Sequence, residues 1–244
     1  MFEIKLVTAD RAQVRRKRGL EEYTGVEWLD ITLDNLLKTD IPLDRVSIYN
    51  DNQNFNHGDQ SQVHIDALNR AQSLGIRVVQ NRGNGFANSA LESLKEPLRF
   101  EDTKYIIFLE DDVDIYPRIL EETTKWINSL NPALKFGLLF SIYDTPTVEP
   151  LLYSCSQGLI FEKDSLKELI HVIENYDEML TKPYGAENSE MFDMQMSRSI
   201  AYHFKCPLYN CTPSVVQHIG GLESSWVGVD EPCGGIRNTQ HFKK

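Results

Sequence analysis

Apolar and polar positions change period several times along the chain. Residues 2–7 alternate and are rich in β-branched and apolar side chains, which predicts a strand. Short apolar runs at 45–49, 76–80 and 105–109 predict three more. Between them the period lengthens. Residues 27–38 carry Trp28, Ile31, Leu33, Leu36 and Leu37 at near-helical spacing, residues 62–74 carry Val63, Ile65, Leu68 and Ala71, and residues 87–94 continue the alternation. Strand and helix in turn predict an α/β fold: a mostly parallel central sheet with helices on both faces. Such sheets take ligands at the carboxyl ends of their strands.

The second half has another texture. Residues 136–140 and 158–161 read as strands, 165–175 as a helix opened by Asp164, and 190–204 as a second helix. Residues 206–216 read as an extended stretch broken by Pro207 and Pro213. From Gly220 onward Gly, Ser and polar residues predict a loop or tail over the sheet's edge. No linker or repeat divides the chain, so residues 1–226 are expected to form one domain, followed by a tail over 227–244.

Composition narrows the function classes. With 25 Lys+Arg against 36 Asp+Glu the 244-residue chain carries a net charge of −11, which disfavours sustained nonspecific attraction to nucleic acid. The run Arg15, Arg16, Lys17, Arg18 is a local exception, either a solvated basic surface or a contact for an anionic ligand. The N-terminal residues lack the long apolar stretch of a signal peptide, and no window approaches the ~20 apolar residues of a membrane span, so a cytoplasmic location is expected. Cys155, Cys206, Cys211 and Cys233 show no metal-ligand spacing and read as reduced, mostly buried thiols. Asn210-Cys211-Thr212 spells a glycosylation sequon, which in a cytoplasm stays unmodified.

The most informative stretch is the apolar run ending in Leu109-Glu110-Asp111-Asp112-Val113-Asp114. Consecutive carboxylates at the end of a buried strand repel one another in a low dielectric. A divalent cation such as Mn2+ or Mg2+ would neutralise them, and such ions share their coordination with substrate phosphates. A solvated turn with capping acids is the plainer alternative.

This segment, followed by Tyr116, Pro117 and a helix, resembles the DXD region of GT-A-fold glycosyltransferases, and its Glu-Asp-Asp form is similar to that of N-acetylglucosaminyltransferase I. Asn81-Arg-Gly83-Asn-Gly85-Phe-Ala-Asn88 resembles the Gly-rich segment after the third strand in the inverting family that includes cellulose and hyaluronan synthases. Thr8-Ala-Asp10-Arg11 and Tyr49-Asn50-Asp51 fall where that family has its first nucleotide-binding loop and its base-contacting acid. The stretch from Gly185 to Arg198 is similar to the acidic helix start that supplies the base, and Pro213 to Gly220 to the segment whose histidine joins the metal or the diphosphate. The resemblance implies a metal-dependent transfer of sugar from a nucleotide-diphosphate donor, by family habit a UDP-sugar, to a hydroxyl acceptor with inversion. It also implies a nucleotide-binding half over about 1–115 and an acceptor half over 116–226.

The roles it implies suit the chemistry. Asp112, Glu110 and His218 would hold the metal that stabilises the departing diphosphate, with Asp111 nearby. Thr8, Asp10, Arg11, Asp51, Gly83, Gly85, Asn88 and Asp111 would line the donor site, although Asp51 could equally start a turn and the glycines could be simple turn formers. An inverting displacement needs one carboxylate to take the acceptor's proton. Asp193, early in the second-half helix and followed by Arg198, is the first choice; Glu190 competes, and Glu187 more distantly. Trp226 could stack on a sugar or simply pack. The acceptor is open: a glycan, a lipid-linked glycan, a protein or a modified nucleobase. The rivals are a nucleotidyltransferase, which usually opens with a Gly-rich basic loop not found here, and a noncatalytic nucleotide- or glycan-binding module.

Overall fold

The computed structural model of the chain describes residues 1–10, 27–51, 60–81, 86–131, 133–140, 143–152, 157–189 and 191–219. Arg11, the basic run at 15–18, Gly83, Gly85, Cys155, Glu190, Trp226, Cys233 and the expected tail lie outside these residues. The strands are β1 (Phe2–Ala9), β2 (Val46–Asp51), β3 (Arg77–Asn81), β4 (Tyr105–Glu110), β5 (Val113–Ile115), β6 (Phe136–Leu138), β7 (Thr147–Val148), β8 (Gly158–Glu162), β9 (Leu208–Asn210) and β10 (Val216–His218). The helices used below are α1 (Trp28–Leu36), α2 (Gln62–Ser73), α3 (Phe86–Lys95), α4 (Ile119–Ser129), α5 (Lys163–Glu174) and α6 (Phe192–Ser199).

Eight strands form one sheet in the order β3-β2-β1-β4-β8-β6-β9-β7, and β5 pairs with β10 beside it. The first four neighbours are parallel, β8 runs antiparallel to both β4 and β6, and β9 is parallel to β6. This is the expected mixed, mostly parallel sheet. Ile106, Ile107, Phe108 and Leu109 are all fully buried, as a central strand covered on both faces requires. From β1 the chain steps outward to β2 and β3, then returns to add β4 on the other side of β1. The strand order therefore reverses between β1 and β4, and the crevice at such a switch point is where this architecture binds ligands.

Side-chain contacts fix which helices cover which face. Thr32 of α1 and His64 of α2 reach the ends of β4 and β2 on one face. On the other, Lys5 of β1 meets α3, and Phe108 of β4 packs on Phe192 of α6 with ring centroids 6.0 Å apart.

Several boundaries differ from the sequence expectation. The helix after β8 starts at Lys163 and is capped by Glu162, whose Oε2 accepts the Ser165 N–H at 2.8 Å, whereas Asp164 sits in the first turn and pairs with Lys167 at the surface. Glu162 wins because its backbone is still extended at the strand end, so its side chain can fold back over the first turn. The helix expected over 190–204 is α6 followed by a π-helical turn (Ile200–Phe204) that stops at Lys205, where φ is +50°. The stretch 206–216 is not continuously extended: β9 and the start of β10 are separated by a turn containing Pro213. Cys206 is half-buried and Cys211 is buried. No helix among the described residues is long and apolar enough to cross a membrane.

Lys5 is fully buried in the middle of β1, where its Nζ donates to the carbonyls of Ser93 and Glu96 at 2.7 Å each and so caps the C-terminal end of α3. Burial lowers its pKa from 10.5 to about 8 against the opposing pull of Glu3 and Glu96. A neutral amine still has a hydrogen for each carbonyl. Between those two pKa values the unfolded chain binds more protons than the folded one, so stability rises with pH. The urea-unfolding free energy of the wild type should gain about 2 kcal/mol between about pH 8 and 10 relative to Lys5→Met. A constant difference between the two proteins over that interval would contradict this.

Candidate active site

The end of β4 carries the acidic cluster, and each acid has a different setting. Glu110 is half-buried and shares a strand face with Phe108, two residues before it, so it lies on the α6 side of the sheet. Asp111 and Asp112 are each 1% exposed. Asp111 Oδ2 accepts the Thr8 hydroxyl at 2.6 Å and the Ala9 N–H at 3.4 Å, which ties the ends of β1 and β4 across the switch point. Thr32 fastens the same turn from α1: its hydroxyl donates to the Asp111 carbonyl at 2.6 Å and accepts the Val113 N–H at 3.3 Å. The turn's backbone is thus held by a neighbouring helix, and the carboxylates are aimed by the backbone.

His218 Nε2 lies 3.1 Å from Asp112 Oδ2. The two meet because β10 pairs antiparallel with β5, setting His218 opposite Val113, while the Ile219 N–H donates to the Asp112 carbonyl at 2.9 Å. The approach to β10 is hooked to β6 by the Val215 and Val216 N–H groups, both donating to the Leu139 carbonyl. Gly158 leaves room for this crossing: a Cβ there would stand 3.1 Å from Val216 Cγ1 and 3.3 Å from Phe140 Cβ, so a neighbour would have to shift by a few tenths of an ångström. His218 is 106 residues from Asp112 in sequence, so the contact is purely tertiary.

Among the described residues no three His, Cys, Asp or Glu side chains converge as a ready metal cage. Asp112 and His218 do fit as a pair of ligands. A cation about 2.1 Å from each, with the two bonds at right angles, needs donors about 3 Å apart. A hard cation that takes only a few protein donors completes its shell with water and phosphate oxygens.

The other candidates divide between the two faces of the sheet. Asp10 is buried, and its carboxylate accepts the Ser61 N–H at 2.5 Å and the Ser61 hydroxyl at 3.0 Å, so it fastens the start of α2 to the end of β1. Asp51 is buried beside Ala9 and Asn81 in the strand register, on the face toward α3, opposite to that of Thr8 and Asp111. Asn88 is exposed in the first turns of α3. Asp193 lies in the first turn of α6, next to the Phe192 that anchors on β4, and its Oδ1 accepts the Met194 N–H at 2.9 Å. The segment leading to it is pinned at Glu187, whose carbonyl accepts from Arg198 and from the Tyr176 hydroxyl.

Two polar residues at the strand ends had no marker in the sequence. Thr32 is one hydroxyl in an amphipathic helix. His64 is fully buried in α2, with Nδ1 3.1 Å from Glu27 Oε1 and Nε2 2.9 Å from Asn50 Oδ1. Burial alone would lower its pKa, but the Glu27 hydrogen bond and the charges of Glu27, Asp10 and Asp111 together raise it above 6.5. A groove of about 490 Å3 between α1 and α2, lined by Glu27, Asp30, Asp34 and Asp66 with Arg70, opens nearby. Its acidic rim suits no anionic donor.

No protein-family model matches the sequence, and no curated protein matches it. Among solved structures, the chain superposes on a TarS fragment from S. aureus in complex with UDP-GlcNAc with a TM-score of 0.50, at 12% identity, over 93% of this chain and 62% of that one. It thus spans less than two thirds of that fragment. It superposes equally, at 0.50 and 12% identity, on apo mouse xyloside xylosyltransferase 1, over 84% of this chain and 83% of that chain. A further match, at a TM-score of 0.48 and 13% identity, is 4-diphosphocytidyl-2C-methyl-D-erythritol synthase from Anaerococcus prevotii DSM 20548, over 87% and 90% of the two chains. At these identities the likeness shows the fold, which is GT-A-like.

Proposed function

We propose that the protein is a metal-dependent glycosyltransferase that moves a sugar from a nucleotide-diphosphate donor to a hydroxyl acceptor with inversion. The observation that carries this reading is the buried Asp111–Asp112 turn at the switch point, with His218 brought onto Asp112 from the far end of the chain. A fold gains nothing from burying adjacent carboxylates unless something offsets their repulsion. Asp112 and His218 would hold a Mn2+ or Mg2+ ion, with Glu110 close by. When bound, the ion would supply positive charge where the diphosphate leaving group becomes more negative.

The chain's own residues do the rest. Asp111, locked by Thr8, keeps the end of β1 against the turn and so sets the width of the crevice. Asp10, Asp51 and Asn88, with Arg11, Gly83 and Gly85, are proposed to border the nucleotide. On the α6 side, Asp193 accepts the proton of the attacking hydroxyl, so the new bond forms without a covalent enzyme intermediate. Glu190 is the alternative base. The donor considered first is a UDP-sugar, since the TarS structure of this fold was solved with UDP-GlcNAc; the acceptor class is set by residues beyond those assigned.

The test is calorimetric titration of nucleoside di- and triphosphates and nucleotide sugars into the protein, with Mn2+ and again with EDTA, beside an assay for released pyrophosphate. Binding of one nucleotide sugar that disappears with EDTA supports the reading. Binding of a nucleoside triphosphate with pyrophosphate release would make it a nucleotidyltransferase, and an inert panel would leave a noncatalytic module.

A further inference from the structure

The strand register lines up one polar residue from each of four neighbouring strand ends. Gln80 stands beside Asn50, Asn50 beside Thr8, and Thr8 is one step beyond the Val7–Glu110 pair, which sets it beside Asp111. All four lie on the face covered by α1 and α2, and they are joined in pairs: Asn50 Nδ2 donates to Gln80 Oε1 at 2.8 Å, and Thr8 donates to Asp111 at 2.6 Å. His64 sits over this row, fully buried, between Asn50 Oδ1 and Glu27 Oε1.

Both oxygens facing the ring are acceptors. A carboxylate has no hydrogen to give, so Nδ1 carries a proton toward Glu27. Asn50 has turned its NH2 toward Gln80 and so offers its carbonyl to Nε2, which therefore carries a proton as well. A neutral ring would require either that Asn50 and Gln80 both reverse their amides or that the Nδ1 proton pass to Glu27. Among the described residues, the charged groups that act on the ring from its surroundings are acidic: Glu27 before α1, Asp10 after β1 and Asp111 after β4. β2 and β3 contribute the amides Asn50 and Gln80. On α2 itself Asp66 hydrogen-bonds Gln62, and Arg70 is committed to Asp30 and Asp34.

We infer that His64 is a buried imidazolium that positions the nucleotide end of the donor site. Its two N–H groups hold the end of β2 and the start of α1, and its charge offsets Glu27, Asp10 and Asp111 where an anionic diphosphate has to approach. The inference rests on the donor-site reading above. Asn50 precedes Asp51, and Ser61, which opens α2, is held by Asp10. Loss of the ring's charge therefore acts on donor affinity and leaves the proton transfer at α6 alone.

The test has one arm without any donor. Ring 15N–1H correlation spectra should show His64 doubly protonated above pH 7, where an ordinary histidine, with a pKa of about 6.5, is neutral. A single neutral tautomer there overturns the inference. In the second arm, His64→Gln should raise the donor KM about tenfold with kcat within about twofold. A folded His64→Gln with unchanged KM, or with only kcat reduced, overturns the positioning role. Should His64→Gln not fold, Glu27→Gln carries the comparison. It keeps an acceptor for the Leu29 N–H but removes the charge that holds the ring protonated, so burial should leave the ring neutral at pH 7 and donor KM should be raised there about as in His64→Gln. A donor KM in Glu27→Gln equal to the wild type's at pH 7 overturns the inference. If the wild type binds no nucleotide, the donor-site reading fails and this role with it, whereas the ring spectrum is unaffected, so the two failures are told apart.

Discussion

Asp112→Asn is expected to abolish metal-dependent donor binding and to lower turnover by about three orders of magnitude, the scale on which a group that stabilises developing charge acts. The substitution is nearly isosteric. An amide oxygen can still accept from His218 Nε2, and the backbone of the turn stays held by Thr32 and by the Ile219 N–H. What it removes is the charge that would bind a hard cation, since a neutral amide oxygen is a far weaker partner for Mn2+ or Mg2+ than a carboxylate. Relief of repulsion from Asp111 should leave the melting temperature unchanged or raised. The calorimetric experiment, run on this variant with and without EDTA beside a thermal melt, reads both effects. A variant that binds donor as well as the wild type in Mn2+ would show that the cation is not held at Asp112.

How much of this was legible beforehand follows from the length scale of each signal. The four parallel strands and the helices between them repeat their pattern over enough residues for periodicity to show, and Tyr105 to Leu109 read as a buried strand because no charge interrupts it. β5 and β7 are two or three residues long and exist because a neighbour pairs with them, so no local pattern could reveal them, whereas β9 and the start of β10 fall within the stretch 206–216 that reads as extended. The acidic turn was visible as three adjacent carboxylates at a strand end. The resemblance marked His218 as a candidate, yet the contact with Asp112 depends on β10 crossing above Gly158, which only the tertiary structure supplies. Thr32 and His64 were illegible for the opposite reason. A threonine or histidine on an amphipathic helix is ordinary, and what distinguishes these two is the strand end each happens to meet. Asp10 shows the limit of reading chemistry from residue type: a carboxylate expected to meet the nucleotide is also a fastening for the first turn of α2, and both oxygens accept from Ser61.

Asp193→Asn should spare donor binding and remove turnover, with kcat down by about a hundredfold to ten-thousandfold, the range that general base catalysis contributes. The split follows from where Asp193 stands. It is carried by α6, on the opposite face of the sheet from Asp111 and Thr32, and it is placed by Phe192 packing on Phe108, two residues before Glu110. Asparagine keeps the oxygen that accepts the Met194 N–H, so the helix start should be unchanged, while a neutral amide cannot take a proton from an attacking hydroxyl. Donor KM is therefore expected to stay within about twofold, and the acid limb of the kcat–pH profile should vanish with the titrating group. Glu190→Gln is the necessary companion, since Glu190 precedes the same helix by only two positions. If Asp193→Asn kept wild-type kcat and Glu190→Gln lost it, the base would be Glu190, and Asp193 would be left as an acid at a helix N-terminus, where the helix dipole alone is reason enough for it.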